Sequence, residues 1–162
     1  MALRGRVALV TGGVQGIGRA AAESLLEKHV ALVDLNQSVG EECKKELDEQ
    51  YGQDNSIFLS VTSTTTQHCG PYIVINNAGI NNEKNWEKTI EVNLTSVIKG
   101  TYLALEHMSK EYGKEGGVII NVSSMAGNEL SLLLHRCRLF SNSSLHGCPG
   151  VAREPEWHPC AL

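Results

Sequence analysis

"RVALVTGGVQGIGRAAAESLLEKHVALVD", residues 6–34, decides the fold of this chain. Arg6 to Thr11 is a short β-rich apolar run, and a cluster of glycines follows it. "GIGRAAAESLLEKH" then places Ile17, Ala21 and Leu25 at helical spacing. Val30 to Asn36, "VALVDLN", is a second apolar strand. A strand, a glycine turn, a helix and a second strand in some thirty residues is the beginning of a parallel, helix-covered sheet.

Outward from this unit the alternation continues. "SVGEECKKELDEQYG" reads as a polar-faced helix stopping at Gly52, and Ser56 to Val61 as a third strand. Tyr72 to Asn76 is a fourth strand. A long helix over about Ile90 to Tyr112 follows, with Leu94, Val97, Ile98, Thr101, Tyr102, Leu105 and Met108 along one face. "GGVIINVS" is the fifth strand. Apolar strands alternating with helices predict an α/β, Rossmann-type doubly wound parallel sheet covered on both faces and truncated after the fifth strand.

Two connections are short. "TSTTTQHCGP", residues 62–71, is all that joins the third strand to the fourth. A parallel crossover needs about a dozen residues or more, usually with a helix. In the order 3-2-1-4-5 the link must move three strand positions, about 14 Å, and return about 17–20 Å along the strand. A ten-residue extended link reaches at most about 33–36 Å, leaving part of the sheet face uncovered. "EKHVALVD" also passes from helix to strand without the usual glycine stop. Residues 125–162 hold three of the four prolines, no lysine, no aspartate and no sustained period. The expected organisation is therefore a partial Rossmann domain over 1–127, shortened at about 62–71, and an irregular tail over 128–162.

Composition narrows the class. Net charge is -4 and pI about 5.9, which excludes a basic nucleic-acid-binding surface. The N-terminal apolar run is too short for a signal peptide, and no stretch approaches a membrane span, so a cytoplasmic protein is expected. Five cysteines without a secretory signal argue against a disulfide framework. Three of them form His-x-Cys pairs at His135-Cys137, His146-Cys148 and His158-Cys160. Imidazole and thiolate suit zinc, but the spacing matches no zinc pattern, so no metal is assigned.

The glycine turn carries the chemistry. Gly12 permits a tight exit from the strand, Gly16 lets backbone approach a pyrophosphate, and Gly18 lets the helix pack closely. The helix N-terminus supplies free N–H groups and a positive dipole end for the anion. Asp34 lies 22 residues beyond Gly12, where a carboxylate accepts hydrogen bonds from an adenosine ribose. Gln15 and Leu35 provide no cation for a 2′-phosphate, so NAD is favoured over NADP.

"TGGVQGIG", "NNAG" at Asn76 to Gly79, "VNL" around Asn93 and "INVSS" ending at Ser124 together resemble the short-chain dehydrogenase/reductase family. The likeness covers about residues 5–60 and 74–127. It implies that Gly12, Gly13, Val14, Gln15, Gly16, Ile17, Gly18, Arg19 and Ala20 wrap a pyrophosphate. It implies that Asp34 and Leu35 line the adenosine end and that Asn77 faces the cofactor, with Ala78 and Gly79 letting it pass. Asn93 would support a water-linked proton path, and Ser124 would bond the substrate hydroxyl. "NNAGINNEKNWEKT", "GTYLALEHMSK" and "GGVIINVSS" resemble the NAD-dependent members that oxidise the 15-hydroxyl of prostaglandins to a ketone. The implied substrate is a prostaglandin or related hydroxylated fatty acid. The helix Ile90 to Tyr112 resembles a dimerisation helix of the family and implies a homodimer.

The family's base is the tyrosine of Tyr-x-x-x-Lys, about 13 residues beyond the serine. Here that spacing falls on Cys137 and Ser141, and no Tyr-x-x-x-Lys occurs at any position. The last tyrosine is Tyr112 and the last lysine Lys114. Three readings follow: an NAD-dependent dehydrogenase that oxidises the prostaglandin 15-hydroxyl to a ketone, a non-catalytic NAD-binding fragment or dimer partner, and an unstable product. The missing tyrosine and lysine count against the first, so the chain is read as a dehydrogenase by descent that is itself inactive.

Overall fold

A computed structural model describes residues 7–26, 29–61, 72–82 and 84–123. The strands are β1 Val7–Thr11, β2 His29–Asp34, β3 Ser56–Ser60, β4 Ile73–Asn76 and β5 Val118–Asn121. They form one parallel sheet in the order β3-β2-β1-β4-β5, as the alternation predicted. The 62–71 link and the 128–162 tail lie outside the described residues.

The helices are α1 Gly16–Glu23, α2 Gln37–Tyr51, α3 Trp86–Ile90 and α4 Ser96–Met108. One sheet face carries Ala8, Val10, Val30, Leu32 and Ile75, which pack with Val14, Ala22, Leu26, Cys43 and Leu47 from the α1 and α2 side. Gly40 makes that packing tight, because a Cβ there would run into the Phe58 ring. The opposite face packs Leu9, Val74 and Ile119 against Ala104 and Met108 of α4. On that second face Val33, Ile57 and Leu59 of β2 and β3 remain only half-buried. The expectation of cover on both faces is therefore met only in part among the described residues, since on the first face Val118 and Ile120 of β5 are exposed as well.

Two helices differ from the sequence reading. Ile17 is 72% exposed, although Ala21 and Leu25 do pack against the core; the buried residues along α1 and its flanks are Val14, Gly18, Ala22 and Leu26. The predicted continuous helix is broken: a π-helical turn, Glu91–Thr95, separates α3 from α4, and Ser109 ends α4 in an extended conformation before a 3₁₀ turn at Lys110–Tyr112. The extra residue of a π turn shifts the facing positions. Within α4 itself the buried line is Val97, Ala104 and Met108, while Ile98 and Tyr102 are exposed.

Candidate functional site

In a parallel sheet of this order, the chain leaves β1 toward β2 on one side and arrives at β4 on the other. The carboxyl ends of β1 and β4 therefore bound a crevice where ligands bind in doubly wound folds. The glycine turn after Thr11, the Asn77–Gly79 turn after Asn76, and Asp34 at the end of β2 all lie at this edge.

Thr11 holds the two turns together. Its Oγ1 accepts the backbone N–H of Asn77 at 3.0 Å and of Ala78 at 3.1 Å. Asn77 Nδ2 in return donates to the carbonyls of Thr11 and Gly12, both at 3.1 Å. Gly12 adopts φ +63°, and its N–H donates to Val33 O at 2.8 Å. A Cβ on Gly18 would collide with the Gly12 carbonyl and with Asn77 Nδ2. Glycine is thus required where α1 presses on the turn. Gly16, by contrast, has φ +56° and nothing within 4 Å of where a Cβ would stand, so its backbone faces open space.

The start of α1 is electrostatically unfinished. Asn36 caps α2 by accepting from Val39 N–H, and Asn85 caps α3 by accepting from Lys88 N–H. Gln15 makes no such side-chain bond to α1, and its first turn contains no acidic residue. The amino end of α1 therefore keeps N–H donors and the positive dipole end for an anion. An open glycine backbone, an uncapped helix start and a nearby carboxylate are the donor set that a dinucleotide fits.

The named residues divide by where their side chains go. Gly13 and Val14 are buried, with Val14 part of the core, while Gln15, Ile17 and Ala20 are exposed. Arg19 turns to α2 and α1, pairing through Nη1 with Glu46 at 2.8 Å and through Nε with Glu23 at 2.9 Å. These carboxylates, Glu23 foremost, hold its guanidinium above its ordinary pKa. The Asp34 carboxylate accepts the Asn36 N–H at 3.1 Å, and Leu35 beside it is 63% exposed. Asn93 lies in the π turn, its amide spanning the Ile80 backbone: Oδ1 accepts from N–H at 2.8 Å, and Nδ2 donates to O at 2.9 Å. Ser124, Cys137, Ser141 and the His-x-Cys series lie outside the described residues. Among the described residues, no three His, Cys, Asp or Glu side chains are grouped to hold a metal. Among them, too, no helix is long and apolar enough to cross a membrane.

The sequence reading missed Thr11, Asn76 and Asn121. Thr11 had a legible signal, a hydroxyl residue at the junction of strand and glycine turn. The two asparagines read only as polar strand ends, and their partnership needed the register.

The short chain dehydrogenase family profile matches residues 6–134. The chain is 52% identical over 141 residues to the human 15-hydroxyprostaglandin dehydrogenase [NAD(+)], covering 78% of this chain and 53% of the relative. It is 50% identical to the mouse protein of that name, over 78% of this chain and 52% of the relative. It is 35% identical to an NADP-dependent (R)-specific alcohol dehydrogenase of Lentilactobacillus kefiri, over 77% of this chain and 56% of the relative. A solved structure of a putative short-chain dehydrogenase from Novosphingobium aromaticivorans aligns with TM-score 0.72 at 24% identity, covering 86% of this chain and 60% of that one. The chain spans about half the length of the curated relatives it matches. With the profile covering most of the chain and the glycine turn, Asn77 turn and Asn93 in place, this protein belongs to the short-chain dehydrogenase family.

Proposed function

We propose that this chain is an NAD-binding unit of the 15-hydroxyprostaglandin dehydrogenase type that does not by itself complete the oxidation. The observation that supports it most is the uncapped, acid-free start of α1 above the open backbone of Gly16, with Asp34 at the end of β2. The N–H groups of α1 would hold the pyrophosphate. The Asp34 carboxylate, oriented by the Asn36 N–H, would take the adenosine ribose hydroxyls and repel a 2′-phosphate. When bound, NAD supplies a hydride acceptor. By descent the substrate is a prostaglandin or related hydroxylated fatty acid, whose 15-hydroxyl becomes a 15-keto group in the dehydrogenases this chain resembles.

Ser124 would bond that hydroxyl, and Asn93, whose amide spans the Ile80 backbone, would support a water-linked proton path. Proton removal has no assigned residue, because the Tyr and Lys positions carry Cys137 and Ser141. The domain reading, 1–127 with a shortened connection at about 62–71, draws support from the relatives. The human match runs over 141 residues, whereas 78% of 162 is about 126, so the matched region is shorter here.

Titration calorimetry with NAD tests the binding. We expect saturable heat with the wild-type chain, none with Asp34→Ala, and markedly weaker heat with NADP. A parallel assay with NAD and a 15-hydroxyprostaglandin should yield no NADH absorbance at 340 nm above background; steady formation would overturn the inactive reading. A second reading, pairing with a full-length dehydrogenase through the α4 helix, draws on exposed Ile98, Tyr102 and Leu103. Co-purification that Tyr102→Glu abolishes would support it.

A further inference from the structure

We propose that Glu46, together with Glu23, determines nucleotide specificity: the two carboxylates draw Arg19 away from the nucleotide edge and withhold the cation that a 2′-phosphate would need there. The inference deepens the NAD reading and rests on it. Arg19 is the fourth residue of α1 and, among the described residues, the one arginine. It stands three residues, about 4.5 Å of helix rise, beyond Gly16. A side chain so placed leans by default toward the amino end of its helix, which here is the open turn at Gly16. Arg19 instead reaches the other way. Its Nε pairs with Glu23, the last residue of α1, at 2.9 Å, and its Nη1 with Glu46, well along α2, at 2.8 Å.

Helix stability does not account for this arrangement. A cation near the amino end and a carboxylate at the carboxyl end both oppose the helix dipole, and a cation four residues before an acid is the weaker order of such a pair. Both pairs are open to solvent, so each contributes little to stability. What they fix is the direction of the guanidinium. α1 and α2 both start at the carboxyl edge of the parallel sheet and run back from it. Glu46 therefore lies about 14 Å of helix rise from the start of α2, whereas Asp34 lies just before that start. The Cys43 thiol, raised chiefly by burial, feels both the Arg19 and the Asp34 charge, so the two groups share one neighbourhood. Released from its carboxylates, Arg19 would return to its default course toward the turn. A guanidinium there would offset the repulsion between Asp34 and a 2′-phosphate.

The test uses the full chain, with NAD and NADP titrated by calorimetry and thermal melts taken on the same preparations. The wild-type chain should prefer NAD. Glu23→Gln/Glu46→Gln should melt close to wild type and bind NADP about fivefold tighter relative to NAD. Glu46→Gln alone should give part of that shift. Adding Arg19→Met to the double variant should return the NADP-to-NAD ratio to its wild-type value. A gain that survives Arg19→Met would come from the general loss of negative charge and would overturn the proposal. An unchanged ratio in the double variant, with NAD still bound, would overturn it too and leave the NAD reading intact. Absence of heat with NAD in the wild-type chain would overturn both.

Discussion

Val10 and Ile120 stand in the same cross-sheet row, on the same face, yet Val10 is fully buried while Ile120 is 45% exposed. The row reads Leu32, Val10, Ile75, Ile120, and exposure along it runs 0%, 0%, 6% and 45%. Nothing in the residue types explains the gradient. Its cause is cover: α1 and α2 pack over β1 and β2, and their cluster reaches Ile73 and Ile75 on β4. Val118 and Ile120 of β5, with Val122 just beyond, keep their side chains open on that face. The nucleotide turn is thus built on the finished half of the sheet, and the strand leading to Ser124 is built on its open margin.

The comparison breaks most sharply under core truncation. Leu32→Ala should cost about 3 kcal/mol or more of unfolding free energy, and Ile120→Ala well under about 1 kcal/mol, by urea denaturation. Equal costs would mean that β5 is as well covered as β2. Next comes Gly18→Ala, whose Cβ meets the Gly12 carbonyl and Asn77 Nδ2. Separating α1 from the turn should cost about 2 kcal/mol and remove NAD binding, measured by denaturation and calorimetry on the same preparation. A stable variant that still binds would show that α1 and the turn can move apart.

Much of the finished half was legible. Strand order and the glycine turn follow from short apolar runs, the spacing of Gly12, Gly16 and Gly18, and Asp34 in place after β2. On α1 only Ile17 was misplaced: Ala21 and Leu25 do pack against the core, but the steric need at Gly18 puts Gly18 and Ala22 at the centre of the buried face. Apolar spacing also cannot register a π turn, so the break at Glu91–Thr95 was invisible. Tyr102 was misplaced because the apolar stripe was read too wide, whereas the buried line of α4 is Val97, Ala104 and Met108. The Asn76–Asn121 pair depends on register between strands 45 residues apart, which local sequence does not encode.

Cys43 probes the finished half by pH. It is 2% exposed on the buried face of α2, and burial pushes its thiol above the usual range. Its folded-state pKa exceeds its unfolded one, so the neutral thiol's contribution is complete below the unfolded pKa and fades as pH rises through the folded one. Stability should therefore decline from about pH 8.5 upward, by at most about 1.4 kcal/mol per pH unit for this group. Cys43→Ala should flatten that part of the decline in parallel urea titrations. An identical alkaline slope would show that the thiol is solvated.

The smallest effect on stability tests the open margin most directly. Ile120→Lys replaces an already exposed side chain, so unfolding free energy should shift by less than about 0.5 kcal/mol. Its effect on association should be larger. Val118, Ile120 and Val122 form an apolar stripe on β5, an edge of the sheet among the described residues, and a single lysine is a standard guard for such an edge. Light scattering across a concentration series should show the wild-type chain associating and Ile120→Lys remaining dispersed. Unchanged association would mean that other contacts drive it. No association in either chain would mean that the stripe is covered in solution, and the difference between the two margins would vanish.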